Sequence, residues 1–270
     1  PTPSSAASDV YKRQIFIVIF LLAGSFLSAD PLRDAVENSD RTAKNVSRDV
    51  YRNPYETISF FKIEPDMKVI ELSPGGGWYT EILANYLNDS GLLIAAHFNP
   101  KIENNYLKRS RANYELMLSN NEAFNKVKLV DLDSTLAPAS SVDAVLTFRN
   151  LHNWLGPTMD EIFTNSFNAL KPGGLFGVVE HRAKPKTSFN KMKKTGYVTE
   201  AYAIQAAEKT GFILVDKSDI NSNFKDTTDH PKGVWTLPPS LRLKDVDKSK
   251  YLEIGESDRM TLLFMKPENS

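Results

Sequence analysis

The chain contains no cysteine. That absence excludes disulfides, thiolate metal sites and a cysteine nucleophile, and it suits a protein folded in an oxidising compartment. Histidine is scarce: the four, at 97, 152, 181 and 230, show neither H-x-x-x-H nor H-E-x-x-H spacing, so the sequence marks out no ligand pair and no metal is predicted. No G-x-S-x-G elbow occurs, which disfavours a serine hydrolase. Neither sign of charge is in excess. Lys plus Arg and Asp plus Glu both number 33, and a chain of zero formal charge has no overall basic field with which to attract nucleic acid. What the 270 residues do provide, at 41% hydrophobic and 24% charged, is material for a full core in one domain of roughly 200 to 250 residues.

The amino-terminal end reads differently from the rest. Residues 1–11, PTPSSAASDVY, are small and polar, and the wholly apolar run IFIVIFLL at 15–22 leads into AGSFLSAD. A short apolar core with a small-residue exit is the pattern of a secretory signal, and the run falls short of the roughly 20 apolar residues of a membrane span. Residues 1–29 are therefore expected to be a non-native extension plus a signal segment, with Ala29 the last residue removed. The protein is then exported, to the periplasm, or touches the membrane only through this segment if it is not cleaved.

Beyond Asp30, helical and strand patterns alternate, which predicts an α/β fold with a largely parallel sheet. Residues 30–62 read as leading helices or a lid, ahead of a domain over 63–270. Strands are expected near 67–72, 91–97, 127–131, 142–148, 174–181, 211–217 and 259–266. Helices are expected near 78–88, 101–119, 158–170 and 199–210, each with apolar residues at three- and four-residue spacing. About forty residues, 218–258, separate the last two strands; an insertion of that length is usually functional, and it reads as a cap over a substrate site.

The run ELSPGGGWYT, 71–80, joins a buried-strand pattern to a triple glycine and then a helix. Glycines allow a sharp turn and close approach of the backbone to a ligand, and the first turn of a helix offers unpaired N–H groups to an anionic group. Ser73 and Trp78 stand at the outer positions of a G-x-G-x-x-G frame, so the dinucleotide fingerprint is absent. The run resembles motif I of class I S-adenosylmethionine methyltransferases, an acidic residue in E/D-x-G-x-G-x-G, with Glu71, Gly75 and Gly77 matching and Ser73 replacing the first glycine. Two later stretches extend the resemblance. In KLVDLDSTLAPASSVDAVLTFRNLHNW, 128–154, Asp131 ends a strand and Asp143 opens the next, and LKPGGLFGVVEHR, 170–182, matches the family's turn and fifth strand. From about 48 to 266 the chain resembles the exported or predicted members that carry PGGGWYT, R-N-x-H-N-W and a closing section from HPKGVW to GESDRM.

This resemblance implies a doubly wound, Rossmann-like sheet of seven mostly parallel strands with an antiparallel last strand and helices on both faces. It implies S-adenosylmethionine as cofactor and a small-molecule acceptor, and says nothing of oligomeric state. Ser73, Pro74, Gly75, Gly76 and Gly77 would cradle the methionyl and ribose portion, and Glu71 would hold the ammonium directly or through water. Asp131 would accept from the adenine amino group, with the Leu132 N–H on a ring nitrogen and Asp133 as the rival in register. His97 falls where the family commonly has a ribose-binding acid.

Methyl transfer asks mainly for alignment, and for a base only when the acceptor starts protonated. The end of the fourth strand faces the methyl group in the family, which places Arg149, Asn150, His152, Asn153 and Trp154 there. His152 is the base candidate, His181 and Glu180 the second choice, and His230, Trp235 and Arg259 candidate acceptor-pocket residues. Each has a plain structural alternative: Glu71 as a strand-end charge, His97 as a satisfied core histidine, His152 as packing beside tryptophan, and 218–258 as a surface loop. Two other functions stay open, a non-catalytic binding module with a weakened cofactor site and an NAD-dependent oxidoreductase, the latter disfavoured by the loop spacing.

Overall fold

The computed structural model describes residues 30–270, so the extension and signal segment lie outside the described residues. Seven strands form one sheet: β1 (Lys68–Leu72), β2 (Leu92–His97), β3 (Lys128–Asp131), β4 (Val142–Phe148), β5 (Leu170–His181), β6 (Ile213–Ser218) and β7 (Arg259–Met265). Their order is β3-β2-β1-β4-β5-β7-β6. The pairs β1/β2, β1/β4, β2/β3 and β4/β5 are parallel, and β7 runs antiparallel between β5 and β6. This is the largely parallel sheet expected from the alternation of elements, in the doubly wound order that the resemblance implied. β5 begins four residues before the expected 174 because Lys171–Gly174 forms an irregularity inside the strand: Val142 pairs with Leu170 and Ala144 with Leu175. Gly173 sits there at φ +76°, a conformation side chains disfavour, and its N–H donates to the Lys266 carbonyl at 2.9 Å.

Among the described residues four short helices precede β1: α1 (Pro31–Val36), α2 (Ala43–Val46), α3 (Asp49–Arg52) and α4 (Pro54–Phe60). α5 (Thr80–Tyr86) follows β1 and α6 (Asn105–Ser119) follows β2; α7 (Leu151–Trp154) and α8 (Pro157–Ala169) follow β4. α9 (Phe189–Thr195) and α10 (Glu200–Thr210) lie between β5 and β6, and α11 (Lys248–Ile254) lies in the long β6–β7 connection. Local chemistry sets these ends. The Asn104 side chain accepts from the Tyr106 and Leu107 N–H groups at the start of α6, and Gly211 in the left-handed region stops α10.

Successive strand residues point to opposite faces, so Ile70, Leu72 and Val145 pack with Ile162, Phe163 and Ala207 of α8 and α10 on one face. Val69, Ala144 and Leu146 pack with Ile58 of α4, Phe61 just beyond it, and Ile82 and Leu83 of α5 on the other. Covering both faces explains why the central strands read as continuous apolar runs instead of alternating ones. The sheet order reverses between β1 and β4, and in open α/β sheets the crevice at the carboxyl ends of such strands takes the ligand.

Candidate active site

At that reversal lies a cavity of about 480 Å³, within the range of small-ligand sites. The loop after β1 contributes Ser73–Gly76, and the end of β4 contributes Phe148, Arg149 and Asn150, with His152 and His181 beside them. The leading helices contribute Lys44, Asn45, Arg48 and Arg52. The β6–β7 connection and the start of β7 close the remaining wall with Val234, Trp235, Pro238 to Ser240, Glu256 and Arg259.

The glycine loop is open where a ligand would need it. A Cβ built on Gly75 or Gly76 meets nothing within 4 Å, and the Ser73 hydroxyl, also on the cavity wall, is buried without a hydrogen-bond partner among the described residues. A buried polar atom left unpaired is costly, so this hydroxyl fits a ligand that bonds to it. Asn150 braces the loop, its amide shared between the Leu72 and Ser73 carbonyls at 3.1 and 3.3 Å. Gly77 serves a different need. A Cβ there would meet only the tip of the Met117 side chain of α6, which can move aside, so this glycine, expected at the cofactor, is required by its backbone turn at φ +82°.

Four other expected cofactor residues do not reach the cavity. The Glu71 carboxyl is buried and accepts from the Thr80 hydroxyl at 2.6 Å. Burial pushes its pKa up to about 7, the Thr80 bond opposing. Its folded pKa exceeds the unfolded one, so the stability it contributes is full near pH 4 and is lost as pH rises through 7. Glu71→Gln is therefore expected to raise the melting temperature at pH 8, by about 5–10 °C for a penalty on the order of 3 kcal/mol, and to leave it nearly unchanged at pH 4. Thermal melts at the two pH values check this, and equal shifts at both would refute it.

His97 is fully buried, and both of its ring nitrogens are engaged. Nδ1 accepts from the Phe98 N–H at 2.8 Å, which leaves the proton on Nε2 to donate to the Gly75 carbonyl at 3.2 Å. Burial lowers its pKa and keeps it neutral. In place of the expected ribose clamp, His97 is a strut under the glycine loop. The Leu132 N–H, expected on the adenine ring, donates to the His97 carbonyl at 2.8 Å and extends the β2–β3 ladder. Asp131 accepts from Arg111 Nη1 at 2.9 Å through Oδ1 alone.

His152, which lines the same cavity, is paired with a carboxylate. His152 Nδ1 is 3.0 Å from Glu180 Oε1, and the fully buried Glu180 also accepts from the His181 N–H at 2.7 Å. With Nδ1–H given to the carboxylate, Nε2 of His152 is the nitrogen free to take a proton. The edge of Trp235 packs on His152 with ring centroids 5.9 Å apart. His181 Nδ1 lies 2.5 Å from Ser257 Oγ; burial, then the charges of His152 and the nearby arginines, press its pKa well below the ordinary value, so it stays neutral. His152, Glu180 and His181 bring one donor atom each within 4.8 Å of one another, a three-ligand grouping that sequence spacing did not announce. Arg259, Arg149 and Arg52 act on the same histidine, an electrostatic setting that disfavours a divalent cation.

Of the expected acceptor residues, Arg149, Trp235 and Arg259 line the cavity, and Glu180 stands behind His152. Asn153 is exposed and outside the cavity lining, whereas Trp154 belongs to the core cluster with Leu151 and Met192. These two differ from expectation because α7 is a single helical turn that sends neighbours to opposite sides. His230 lines a separate surface pocket, with Nε2 bound to Asp226 at 2.8 Å. Sequence reasoning missed Lys44, Asn45, Arg48, Arg52 and Glu256. One signal was present: Arg48 and Arg52 are four residues apart in a helical stretch, which puts both on one face.

No family model and no curated protein matches the chain. Solved structures do match it in fold. A SAM-dependent methyltransferase from Aquifex aeolicus superposes with a TM-score of 0.55 at 13% identity, covering 81% of this chain and 92% of that one. The cyclase SpnF gives 0.60 at 15% identity over 88% and 92%, and a SAM-dependent methyltransferase from Methanosarcina mazei gives 0.50 at 13% over 78% and 96%. At these identities the likeness defines the class of fold, the Rossmann-like sheet of the SAM-dependent methyltransferases. The cyclase among the matches is a reminder that chemistry is argued from the site.

Proposed function

We propose that the protein transfers a methyl group from S-adenosylmethionine to a small-molecule acceptor. The observation that carries this reading is one cavity holding both the open Ser73–Gly76 loop, with its unpartnered hydroxyl, and the His152–Glu180 pair. Ser73, Pro74, Gly75 and Gly76 would hold the methionyl portion. When bound, the cofactor supplies a methyl group already activated on a sulfonium. The protein's part is then to align the acceptor, exclude water with Trp235 and Phe148, and take the acceptor's proton on His152 Nε2 while Glu180 steadies the imidazole.

We further assign the chain to the exported subgroup that shares its PGGGWYT and GESDRM motifs, released to the periplasm after residues 15–29 act as the signal. A mass measurement of the mature amino terminus tests that assignment. In this reading 30–62 forms one wall of the site and 218–258 its cap.

Thermal melts with S-adenosylmethionine, S-adenosylhomocysteine and NAD test the function. A ligand at a hundred times its Kd stabilises the native state by about 2.7 kcal/mol, so the two adenosyl compounds are expected to raise the midpoint by about 5–10 °C and NAD to leave it in place. A shift with NAD alone would point to the oxidoreductase. No shift with any of the three would leave a binding module on the same fold.

A further inference from the structure

The cavity is strongly cationic. Lys44, Arg48, Arg52, Arg149 and Arg259 line it against one carboxylate, Glu256. That carboxylate is saturated: it accepts from Arg48 Nε at 2.6 Å, Arg52 Nε at 3.3 Å and Arg259 Nη2. Burial would raise the Glu256 pKa, but the surrounding guanidiniums outweigh it and hold the group at about 2. Positive charge remains. Arg52 is 1% exposed, its guanidinium lies 4.5 Å from the Trp78 ring, and its Nη1 and Nη2 have no partner among the described residues. Arg149 stands outside the Glu256 hydrogen bonds; burial, then Arg259, lower its pKa to about 10. Its backbone is held at φ +63°, a strained conformation for a residue with a side chain, by an N–H bond to the Val179 carbonyl at 2.7 Å.

Gathering four guanidiniums around a single carboxylate leaves an excess of positive charge that destabilises the free protein, so the arrangement is explained by a ligand that supplies the missing charge. S-adenosylmethionine does not supply it. With one carboxylate, an ammonium and a sulfonium it is itself a net cation, and pairing its carboxylate with one guanidinium leaves the others unmatched. Arg149 and Arg259 also sit at the ends of β4 and β7, on the same side as His152 and Trp235.

We propose that Arg52 and Arg149 form an oxyanion subsite through which the methyl acceptor, a small molecule bearing a phosphate or carboxylate group, is held beside His152. The word acceptor rests on the methyltransferase reading; the subsite does not. The planar fork of a guanidinium matches either oxyanion with two parallel hydrogen bonds.

The test is titration of the protein at low ionic strength with inorganic phosphate and with malonate, each with and without S-adenosylhomocysteine, following the thermal midpoint. Saturable stabilisation by phosphate alone identifies a phosphate-bearing acceptor, and by malonate alone a carboxylate-bearing one. In Arg149→Gln, affinity for that anion is expected to fall about tenfold or more, and the anion-free midpoint to rise as like-charge repulsion is relieved. Arg52→Gln should lose the same affinity; because Arg52 packs against Trp78 and its replacement also disturbs that contact, Arg149→Gln is the deciding variant. If S-adenosylhomocysteine binds and neither anion does, or the anion binds Arg149→Gln unchanged, the subsite is overturned while the methyltransferase reading stands. If an anion binds through Arg149 and neither adenosyl compound binds, the subsite stands and the methyltransferase reading falls.

Discussion

In His152→Ala, turnover is expected to fall by about a hundredfold or more while S-adenosylhomocysteine still binds. The alanine removes the imidazole whose Nδ1 is 3.0 Å from Glu180, and with it a cavity-lining ring whose orientation is fixed by a buried carboxylate. Neutral His181 is a poor replacement, since burial and neighbouring cations oppose its protonation. Glu180→Gln should reproduce part of the loss, because it keeps an oxygen near Nδ1 but removes the charge that steadies a protonated ring. The measurement is S-adenosylhomocysteine formed per enzyme with the acceptor present. Near-normal turnover in His152→Ala would make this residue a packing partner of Trp235 and remove it from the chemistry.

Gly76→Val is expected to weaken adenosyl binding by on the order of a hundredfold while leaving the unliganded melting temperature in place. Gly75 is the less informative position: at φ +61° any side chain is strained, so lost binding there could reflect a distorted loop. Gly76 lies outside that region, and a Cβ on it meets open space. New bulk therefore enters the ligand's place and not the protein's. Titration calorimetry with S-adenosylhomocysteine reads the result, and unchanged affinity would remove the glycine loop from the cofactor site.

Much of the fold was legible because central strands covered on both faces are mostly apolar, as in Val69–Leu72, broken only by Glu71, and Ala144–Phe148, broken only by Thr147. The glycine loop was legible for a similar reason, since few residues tolerate the turns at Gly75 and Gly77. Sequence does not reveal which way a functional group faces. His97 stood at a ligand position, yet the Phe98 N–H and Gly75 carbonyl use both of its nitrogens. Trp154 was expected beside the methyl group and is core. Arg48, Arg52 and Glu256 escaped notice because their meeting depends on how the leading helices dock against a segment some 200 residues later, which no local pattern encodes. The His230 pairing was within reach, since Asp226 precedes it by four residues.

The cavity wall also carries a consequence for biosynthesis. The Arg48 to Glu256 bond joins positions 208 apart, and β7, which begins with Arg259, enters the sheet between β5 and β6, both already made. A ribosome has therefore emitted nearly the whole domain before the site has all its walls. Contacts this distant in sequence close slowly. The cavity therefore has all its walls only after β7 has been made and has found its place in the sheet.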